Sequence, residues 1–405
     1  MVKKKIAFLG NQIDWGGGAK SLLLLLKALS HCEYDLYLYV TNIKSKAMKK
    51  EFEKYVHFVK KIKLPELVSA QTETIENNLS VIAVSNINHS PTNEFIMELV
   101  ALEIDILHIN NSVFSPIYNS IKIRTNIIIV SHIREWIHWN GVHDKQRYII
   151  SNIIKHSDAI ICISDVESEK FLEHPNLHII SNPFDFDELD QTIFDNAGIR
   201  KQYGIGNKDI VIGMMASFQR KKGLYDFIKV LSLLKNQYRI QENIKFVAIG
   251  RKKLTLIELL VESVKRNLNI DSFKYDIHRY INNHNLADDI ILIGKTPNVL
   301  KVINCFDIAV RPSYSSDPWG RDIIEYMAMK KPIVATGSSN YYVKECKTGY
   351  LVSAKDVEQM AERILWLISN RLERDKMGDN AYKRIFKKCN YETYGSRISS
   401  IYDSL

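Results

Sequence analysis

The stretch DIAVRPSYSSDPWGRDIIEYMAMKKPIVATG, residues 307–337, decides the fold class. Two short apolar runs stand at its ends, DIAVRPS (307–313) and PIVATG (332–337), and both are typical of buried strands. Between them a Pro-Trp-Gly turn leads into a helical pattern. Strand, helix and strand in this order form the crossover unit of a parallel sheet. The stretch therefore predicts an α/β fold.

Two acids, Asp317 and Glu325, flank seven residues within this stretch. The proline after Asp317 disfavours helix there and Gly320 permits a sharp turn, so we expect the helix to start near Arg321 or Asp322, with Glu325 in its first turn. One carboxylate would then precede the helix and the other lie on it, which suits two hydroxyl-bearing parts of one ligand with a diphosphate between them. An alternative stays open on local grounds: Asp317 and Asp322 cap the helix, and Glu325 lies on its surface.

Apolar runs alternate with helical segments along almost the whole chain, which at 405 residues is too long for one ordinary core. We predict two doubly wound parallel sheets, in an N-terminal domain of residues 1–183 and a C-terminal domain of residues 184–387. A final helix, residues 388–405, is expected to pack back on the first domain. The segment 254–285 predicts two helices, and residues 61–100 give no clear pattern. The predicted strands are KIAFLG (5–10), DLYLYV (35–40), IDILHI (104–109), NIIIVS (126–131), AIICIS (159–164) and LHIIS (177–181), then DIVIGMMA (209–216), IKFVAIG (244–250), DIILIG (289–294), DIAVRPS and PIVATG.

The composition limits the compartment and the binding partners that we expect for this chain. Five scattered cysteines with no CxxC pair argue against a disulfide framework or a zinc site and favour a reducing cytoplasm. No apolar run approaches the roughly 20 residues of a transmembrane helix. The net charge of +9 leaves anionic lipid or a phosphorylated small molecule as partners, whereas nucleic acid is disfavoured because no RNA-binding aromatic motif or zinc-finger spacing occurs.

Two further loops follow predicted strands and could meet an anion. In GNQIDWGGGAKSLLLLLKAL, residues 10–29, Gly16, Gly17 and Gly18 precede an apolar helix, where backbone N–H groups and the helix dipole can approach a phosphate. The spacing of a dinucleotide-binding motif is not met, and a turn without ligand stays open.

The second loop lies in MMASFQRKKGLYDFI, residues 214–228, where Arg220, Lys221 and Lys222 precede Gly223 and the next helix. A phosphate there would meet side-chain charge and helix N–H groups together. A solvated helix start is the alternative.

Taken together, these motifs resemble the retaining GT-B glycosyltransferases of family 4. The likeness rests on the two acids with KKPIVAT after them, and it extends over most of the chain through GGGAKSLL near the start, HIRE (132–135), ISNPFDFDEL (180–189), Lys222-Gly223, DIAVRPS and TGYLV (348–352). The resemblance implies two Rossmann-like domains facing across a cleft. It also implies transfer of a sugar from a nucleotide-diphosphate sugar to a glycan or glycolipid acceptor, in cell-surface polysaccharide biosynthesis. The basic charge adds the expectation that a cytoplasmic protein can attach peripherally to the anionic inner face of the cell membrane.

The resemblance also implies residue roles. Asp317 would bind donor-sugar hydroxyls, Glu325 the ribose and Lys222 the donor phosphates. Gly17 and Gly18 would lie by the diphosphate and acceptor, and His132 would contact the donor sugar near the reaction centre. The predicted catalytic residues are therefore His132, Lys222 and Asp317, and the predicted substrate-binding residues are Gly16, Gly17, Gly18, Arg220, Gly320, Arg321 and Glu325.

Some positions depart from the family pattern. The first acid is usually Glu, and the shorter Asp317 should change how the sugar is held. Family members often have Arg where this chain has Ser217; Arg220, Lys221 or Arg321 would supply that charge. These departures leave the donor sugar and base open.

Metal and cofactor are not expected. Asp185-Phe-Asp187 matches a metal-binding DxD motif, but its place after Asn182-Pro183 favours helix N-capping.

His108 also ends a strand and is the second candidate, after His132, for the catalytic histidine. Trp136 and Trp139 suit packing better than stacking on an acceptor sugar or lying in lipid headgroups.

Two other functions stay open. The first is a protein of the same fold that binds nucleotide sugars without turnover. The second is an NAD-dependent oxidoreductase with two Rossmann-like domains.

Overall fold

The computed structural model describes residues 3–64, 90–135, 137, 143–190, 196–216, 219–240, 242–250, 255–268, 273–294, 296, 298–314 and 320–405. The chain divides into two compact units. The first unit comprises Met1–Phe184 and Cys389–Leu405, and the second unit comprises Asp185–Lys388.

The first unit contains a seven-stranded parallel sheet in the order β3-β2-β1-β4-β5-β6-β7. Its strands are β1 (Lys4–Ile13), β2 (Tyr34–Ile43), β3 (Val59–Lys61), β4 (Ile106–Ile109), β5 (Ile128–Ile133), β6 (Ala159–Cys162) and β7 (Leu177–Ile179). Its helices are α1 (Gly17–Leu29), α2 (Lys46–Phe52), α3 (Ser90–Ala101), α4 (Tyr118–Arg124), α5 (His143–His156), α6 (Asp165–Ser168) and the final helix, Tyr391–Ser404, with 3-10 turns at Ser112–Ile117 and Glu169–Phe171.

The second unit contains a six-stranded parallel sheet in the order β10-β9-β8-β11-β12-β13. Its strands are β8 (Ile210–Met215), β9 (Ile244–Ile249), β10 (Ile290–Ile293), β11 (Ile308–Arg311), β12 (Ile333–Thr336) and β13 (Gly349–Val352). Its helices are α7 (Asp187–Asp190), α8 (Asn196–Gln202), α9 (Leu224–Ser232), α10 (Leu256–Asn267), α11 (Phe273–Asn283), α12 (Val299–Asn304), α13 (Arg321–Ala328), α14 (Val357–Ser369) and α15 (Arg371–Cys389, whose last residue belongs to the first unit), with a 3-10 turn at Arg220–Lys222 and a π turn at Leu233–Gln237. The final helix of the chain is α16.

The central parts of the strands are largely apolar because both faces of each sheet are covered by helices. In β1, Ile6 and Phe8 pack with α1 and α16, whereas Ala7 and Leu9 alternate with them and pack with α3 and α5. Successive side chains of a strand point to opposite faces, so these two clusters are the two sides of one sheet. The sheet therefore contributes to two cores at once.

The last helix, α16, belongs to the first unit. It buries Tyr394, Ile398 and Tyr402 in the cluster that contains α1. A Cβ built on Gly395 would lie 3.0 Å from the Cβ of Ala28, so the glycine lets the two helices approach closely. Tyr402 also accepts a hydrogen bond on its carbonyl oxygen from Lys4 Nζ at 2.7 Å. The end of the chain is thus packed against its first strand and first helix.

The predicted alternation of strands and helices is confirmed. Each predicted strand overlaps an observed one, and the segment 254–285 holds α10 and α11. Two strands were not predicted, namely β3, which is three residues long and has two lysines, and β13. Of the segment without a clear pattern, residues 65–89 lie outside the described residues.

Helices long and apolar enough to cross a bilayer are absent from the described part of the chain.

Candidate functional site

The lysine loop of the second unit follows β8, where one turn of 3-10 helix, Arg220–Lys222, precedes α9. Gly223 ends this turn with φ +74°, and a Cβ there would lie 1.7 Å from the carbonyl oxygen of Pro312. The N–H of Tyr314 donates to the carbonyl oxygen of Lys221 at 2.8 Å. The loop is therefore held against the segment after β11 by a close backbone approach that requires glycine at position 223.

Lys222 lines a small pocket at the carboxyl ends of β8 and β11. The other walls are Arg311, Asp322 and the segments 214–216 and 310–313. Arg311 Nη1 donates to the two carboxylate oxygens of Asp322 at 2.7 and 2.5 Å, and both side chains are about nine-tenths buried. The pocket thus places a half-buried lysine beside an ion pair whose charges neutralise each other.

The N-terminus of α13 adjoins this ion pair. The helix begins at Arg321, as predicted, and Gly320 occupies its N-cap position. A Cβ on Gly320 would lie 2.5 Å from Asp322 Oδ1 and 2.9 Å from Arg311 Nη1, so the ion pair fills the space that any larger residue would need. Glycine here lets the backbone reach the helix without displacing the pair.

The two acids on α13 are buried in ion pairs. Arg321 Nε lies 3.3 Å from Glu325 Oε1, and both of these side chains are less than a tenth exposed. The alternative in which Asp322 caps the helix and Glu325 lies on its surface is wrong, because Gly320 is the N-cap and Glu325 is 3% exposed. Glu325 also lies in the second turn of α13 rather than the first, since the helix begins four residues before it.

Arg220 is held differently from Lys222. Its side chain is exposed, and its guanidinium carbon lies 4.8 Å from the centre of the Phe273 ring. This cation–π contact directs the charge toward α11.

Helix α7 begins at Asp187, so Asp185 and Asp187 lie at its start; their N-capping role stays a prediction.

Several predicted residues lie outside the described part of the chain. Asp317 is the most important of them, and Ser217, Trp136 and Trp139 are the others.

The glycine loop of the first unit connects β1 to α1. Gly16 is the N-cap of this 13-residue helix, no side chain caps it, and the first turn contains no acid. Gly16, Gly17 and Gly18 are exposed, and a Cβ on Gly18 would meet nothing within 4 Å. Asp14 Oδ1 accepts from the N–H of Gly16 at 2.8 Å and fixes the turn. The first turn of α1 is thus open to an anion or a hydroxyl group.

His132 lies at the end of β5 and is fully buried. Its Nδ1 lies 3.1 Å from His108 Nε2 and 3.3 Å from Arg134 Nη2. Burial, and then the charge of Arg134, hold the pKa of His132 well below 6.5, and the same two causes lower the pKa of His108. Both imidazoles are therefore neutral near pH 7.

Arg134 and Glu135, which follow His132 in sequence, make further hydrogen bonds at this edge of the sheet. Arg134 donates from Nε to Asn110 Oδ1 at 2.7 Å and also donates to Asn182 Oδ1. Glu135 Oε1 accepts from the N–H and the hydroxyl of Ser112, at 2.7 and 2.5 Å. Burial nevertheless raises the pKa of Glu135 above its ordinary value. The HIRE segment thus belongs to a connected polar network at the carboxyl edge of the sheet.

Within each unit the structure brings predicted residues together at one edge of the sheet. In the second unit these are Lys222, Gly320, Arg321 and Glu325. Sequence reasoning missed Arg311, although a charged residue that ends a buried four-residue strand is itself a signal. It also missed the pairing of His108 with His132, two histidines near the carboxyl ends of neighbouring strands.

Comparison with known proteins agrees with this architecture. Residues 195–384, 190 of the 405 residues, match the family model of glycosyl transferases group 1. N-acetyl-alpha-D-glucosaminyl L-malate synthase of Bacillus anthracis is 21% identical over 62% of this chain and 60% of its own length. The capsular polysaccharide biosynthesis glycosyltransferase CapM of Staphylococcus aureus is 23% identical over 55% of this chain and 53% of its own length. The chain thus spans 60% or less of the length of these curated relatives.

Solved structures match over nearly the whole chain. Anabaena HepE, crystallised with UDP and glucose, has a TM-score of 0.75 at 17% identity and covers 99% of this chain and 100% of its own. Sucrose-phosphate synthase of Thermosynechococcus elongatus has a TM-score of 0.73 at 15% identity, with 99% of each chain covered. The fold is therefore GT-B, with two Rossmann-like domains, as predicted.

We predict that Gly223→Ala destabilises the protein more than Gly204→Ala. Both glycines have φ near +70°, but a Cβ on Gly204 meets nothing within 4 Å. Gly204→Ala should therefore cost about 1–2 kcal/mol from backbone strain alone, and Gly223→Ala that amount plus the clash with Pro312. Chemical denaturation of both variants measures the difference. Equal losses would contradict the close approach.

We also predict that His108 and His132 make stability depend on pH. Below pH 6.5 the unfolded chain protonates both imidazoles while the folded protein, with lowered pKa values, does not. Stability should therefore fall as pH falls below 6.5, by up to about 1.4 kcal/mol per pH unit for each histidine. The double variant His108→Gln/His132→Gln should show a shallower fall between pH 6.5 and 5 in chemical denaturation. A slope equal to that of the wild type would refute the assignment.

Proposed function

We propose that the protein is a retaining glycosyltransferase that moves a sugar from a nucleotide-diphosphate sugar to a glycan or glycolipid acceptor in cell-surface polysaccharide biosynthesis. The observation that carries the proposal is the pocket of the second unit, in which Lys222 lies beside the Arg311–Asp322 pair and the N-terminus of α13. The match of residues 195–384 to a glycosyltransferase family and the names of the curated relatives support it.

The charges around the pocket suit a diphosphate leaving group. Glycosyl transfer breaks an anomeric C–O bond, and negative charge builds on the departing phosphate. Cations and N–H dipoles that are already in place stabilise that charge most effectively. Lys222 supplies the cation and α13 the helix N-terminus. Asp322, in the first turn of α13, would repel a phosphate if its charge were unopposed, and Arg311 neutralises it.

The remaining roles follow the donor along its length. We assign Asp317 to hydroxyls of the donor sugar and Glu325 to the ribose. Glu325 can accept hydrogen bonds from the ribose hydroxyls and from Arg321 at the same time, because a carboxylate has about four acceptor positions. The open first turn of α1, with Gly16, Gly17 and Gly18, is assigned to the diphosphate and acceptor, and His132 to the donor sugar.

Retention of the anomeric configuration would come from attack on the face that the diphosphate leaves. A donor phosphate oxygen then takes the acceptor proton, so no protein nucleophile is required. A metal ion is not required either, since the positive charges of the side chain and the helix N-terminus stabilise the negative charge of the leaving group.

The acceptor would be met at the inner face of the cell membrane, an anionic surface that suits the net charge of +9.

We predict that Lys222→Ala lowers kcat by about 10²–10³, the usual effect of removing one group that stabilises transition-state charge. Lys208→Ala removes an exposed lysine of the same unit and should leave kcat unchanged. Asp317→Ala should cause a loss of similar size. Release of nucleoside diphosphate from a sugar nucleotide measures turnover, and circular dichroism checks the fold. Wild-type rates in Lys222→Ala would exclude its assigned role.

We predict that one nucleoside diphosphate stabilises the protein in the presence of EDTA. Thermal shift against UDP, GDP and dTDP identifies the base, because a ligand at 100 times its Kd adds about 2.7 kcal/mol to the folded state. Activity with the matching sugar nucleotide should survive EDTA as well. Loss of both on chelation would show a metal requirement. Binding without turnover of any donor would instead favour a protein that only binds nucleotide sugars.

A further inference from the structure

We propose that His108 and Tyr402 are positioning residues that fix His132 in the tautomer with its proton on Nε2. The inference deepens the proposed function, on which its catalytic meaning rests, because it states what His132 offers to the donor sugar. Its structural part concerns three side chains from β4, β5 and α16, joined by hydrogen bonds inside the first unit.

Arg134 sets the direction of these hydrogen bonds. A guanidinium can only donate, and its Nη2 lies 3.3 Å from His132 Nδ1. This contact is long, so it favours Nδ1 as an acceptor but does not fix the tautomer alone, and the shorter contact from His108 is needed as well. Because burial and the nearby charge keep the imidazole neutral, its single proton then lies on Nε2.

The next two contacts extend the same direction. His108 Nε2 lies 3.1 Å from His132 Nδ1, where two lone pairs would repel each other, so Nε2 carries the proton of His108 and shares the single Nδ1 lone pair with Arg134. His108 Nδ1 is then an acceptor, and the Tyr402 hydroxyl lies 2.7 Å from it. Burial raises the pKa of Tyr402 well above its ordinary value, so the phenol keeps its proton and donates. Tyr402, His108 and His132 thus form a chain of donors with one direction.

The chain ends at His132 Nε2. This atom is buried and has no hydrogen-bond partner among the described residues. A buried donor without an acceptor costs about 1–3 kcal/mol, and such groups in folded proteins call for an explanation, often a functional one. An oxygen of a donor-sugar hydroxyl has the required chemistry. His132 is therefore a hydrogen-bond donor to the sugar, and it cannot act as a general base because its lone pair faces Arg134 and His108.

The final helix gains a role from this arrangement. Tyr402 lies 294 residues from His108 in sequence, and α16 also supplies Tyr394, whose hydroxyl accepts from Arg134 at 3.2 Å. Both ends of the hydrogen-bond network are therefore held by α16. Packing of this helix on the first unit keeps His132 in one tautomer.

Long-range proton–nitrogen correlation spectra of protein labelled with ¹⁵N-histidine test the tautomer directly. His132→Gln assigns the signals of His132. In the wild type we expect a protonated Nε2 and an unprotonated Nδ1 at His132. A proton on Nδ1 would overturn the proposal. Tyr402→Phe and His108→Leu should each produce a second population with the proton on Nδ1, whereas His108→Gln, which keeps a donor, should retain the wild-type form.

Kinetics separate a positioning role from simple packing. Tyr402→Phe should lower kcat/KM for the sugar nucleotide about threefold to tenfold, the size of one weakened hydrogen bond, and leave the Kd of the free nucleoside diphosphate unchanged. Tyr34→Phe is the matched control, since Tyr34 contacts the Tyr402 ring and bonds Ser399 and Asp403 of α16 without reaching His108.

Equal kinetic losses in Tyr34→Phe and Tyr402→Phe would reduce Tyr402 to a packing residue. If His132 in Tyr402→Phe keeps its wild-type signals, Tyr402 has no part in the chain. If no sugar nucleotide is turned over at all, the proposed function fails, and the spectra still decide the tautomer.

Discussion

Parallel pairing of the strands is the constraint on which the rest of the structure depends. Every strand pair in the described residues is parallel, so in each unit all strands end at the same edge of the sheet. Parallel strands require crossover helices, and these cover both faces and force the strands to be apolar. Polar side chains can then gather only where strands end. The lysine loop, Arg311, His108 and His132 all lie at such ends.

Burying the charged groups at the second unit's edge costs desolvation free energy. Arg311 with Asp322, and Arg321 with Glu325, are buried pairs, and burial of an ion pair often returns no net stability compared with apolar packing. Breaking one by removing a single partner would cost about 3–5 kcal/mol, because the other charge stays buried. Stability alone does not account for two such pairs in the first two turns of one helix. In the proposed function, the pairs leave the helix N-terminus without an unopposed acid beside a bound diphosphate.

Much of the fold was predictable from the sequence, because strands buried on both faces leave continuous apolar runs and the turns between them carry proline and glycine. The start of α13 at Arg321 followed from Pro318 and Gly320 in this way. The short edge strand β3 did not, since two of its three residues are lysines. The glycine loop of the first unit and the lysine loop of the second were both visible because each is contiguous in sequence. The bonds that join Tyr402, His108 and His132 depend on tertiary packing, which no local pattern contains.

The two units differ in the kind of hydrogen-bond donor that they offer, and in the proposed function these donors meet different parts of a sugar nucleotide. At the first unit's edge the first turn of α1 has glycines and no acid, and His132 is uncharged, whereas the charge of Arg134 is directed to Asn110, Tyr394 and the histidine. At the second unit's edge a lysine lies beside a helix N-terminus whose nearest acid is neutralised by Arg311. Neutral donors discriminate among hydroxyl groups without binding phosphate indiscriminately, whereas cations hold a diphosphate whatever sugar it carries. Choice of the sugar would therefore be made largely by neutral groups, and choice of the leaving group by charged ones.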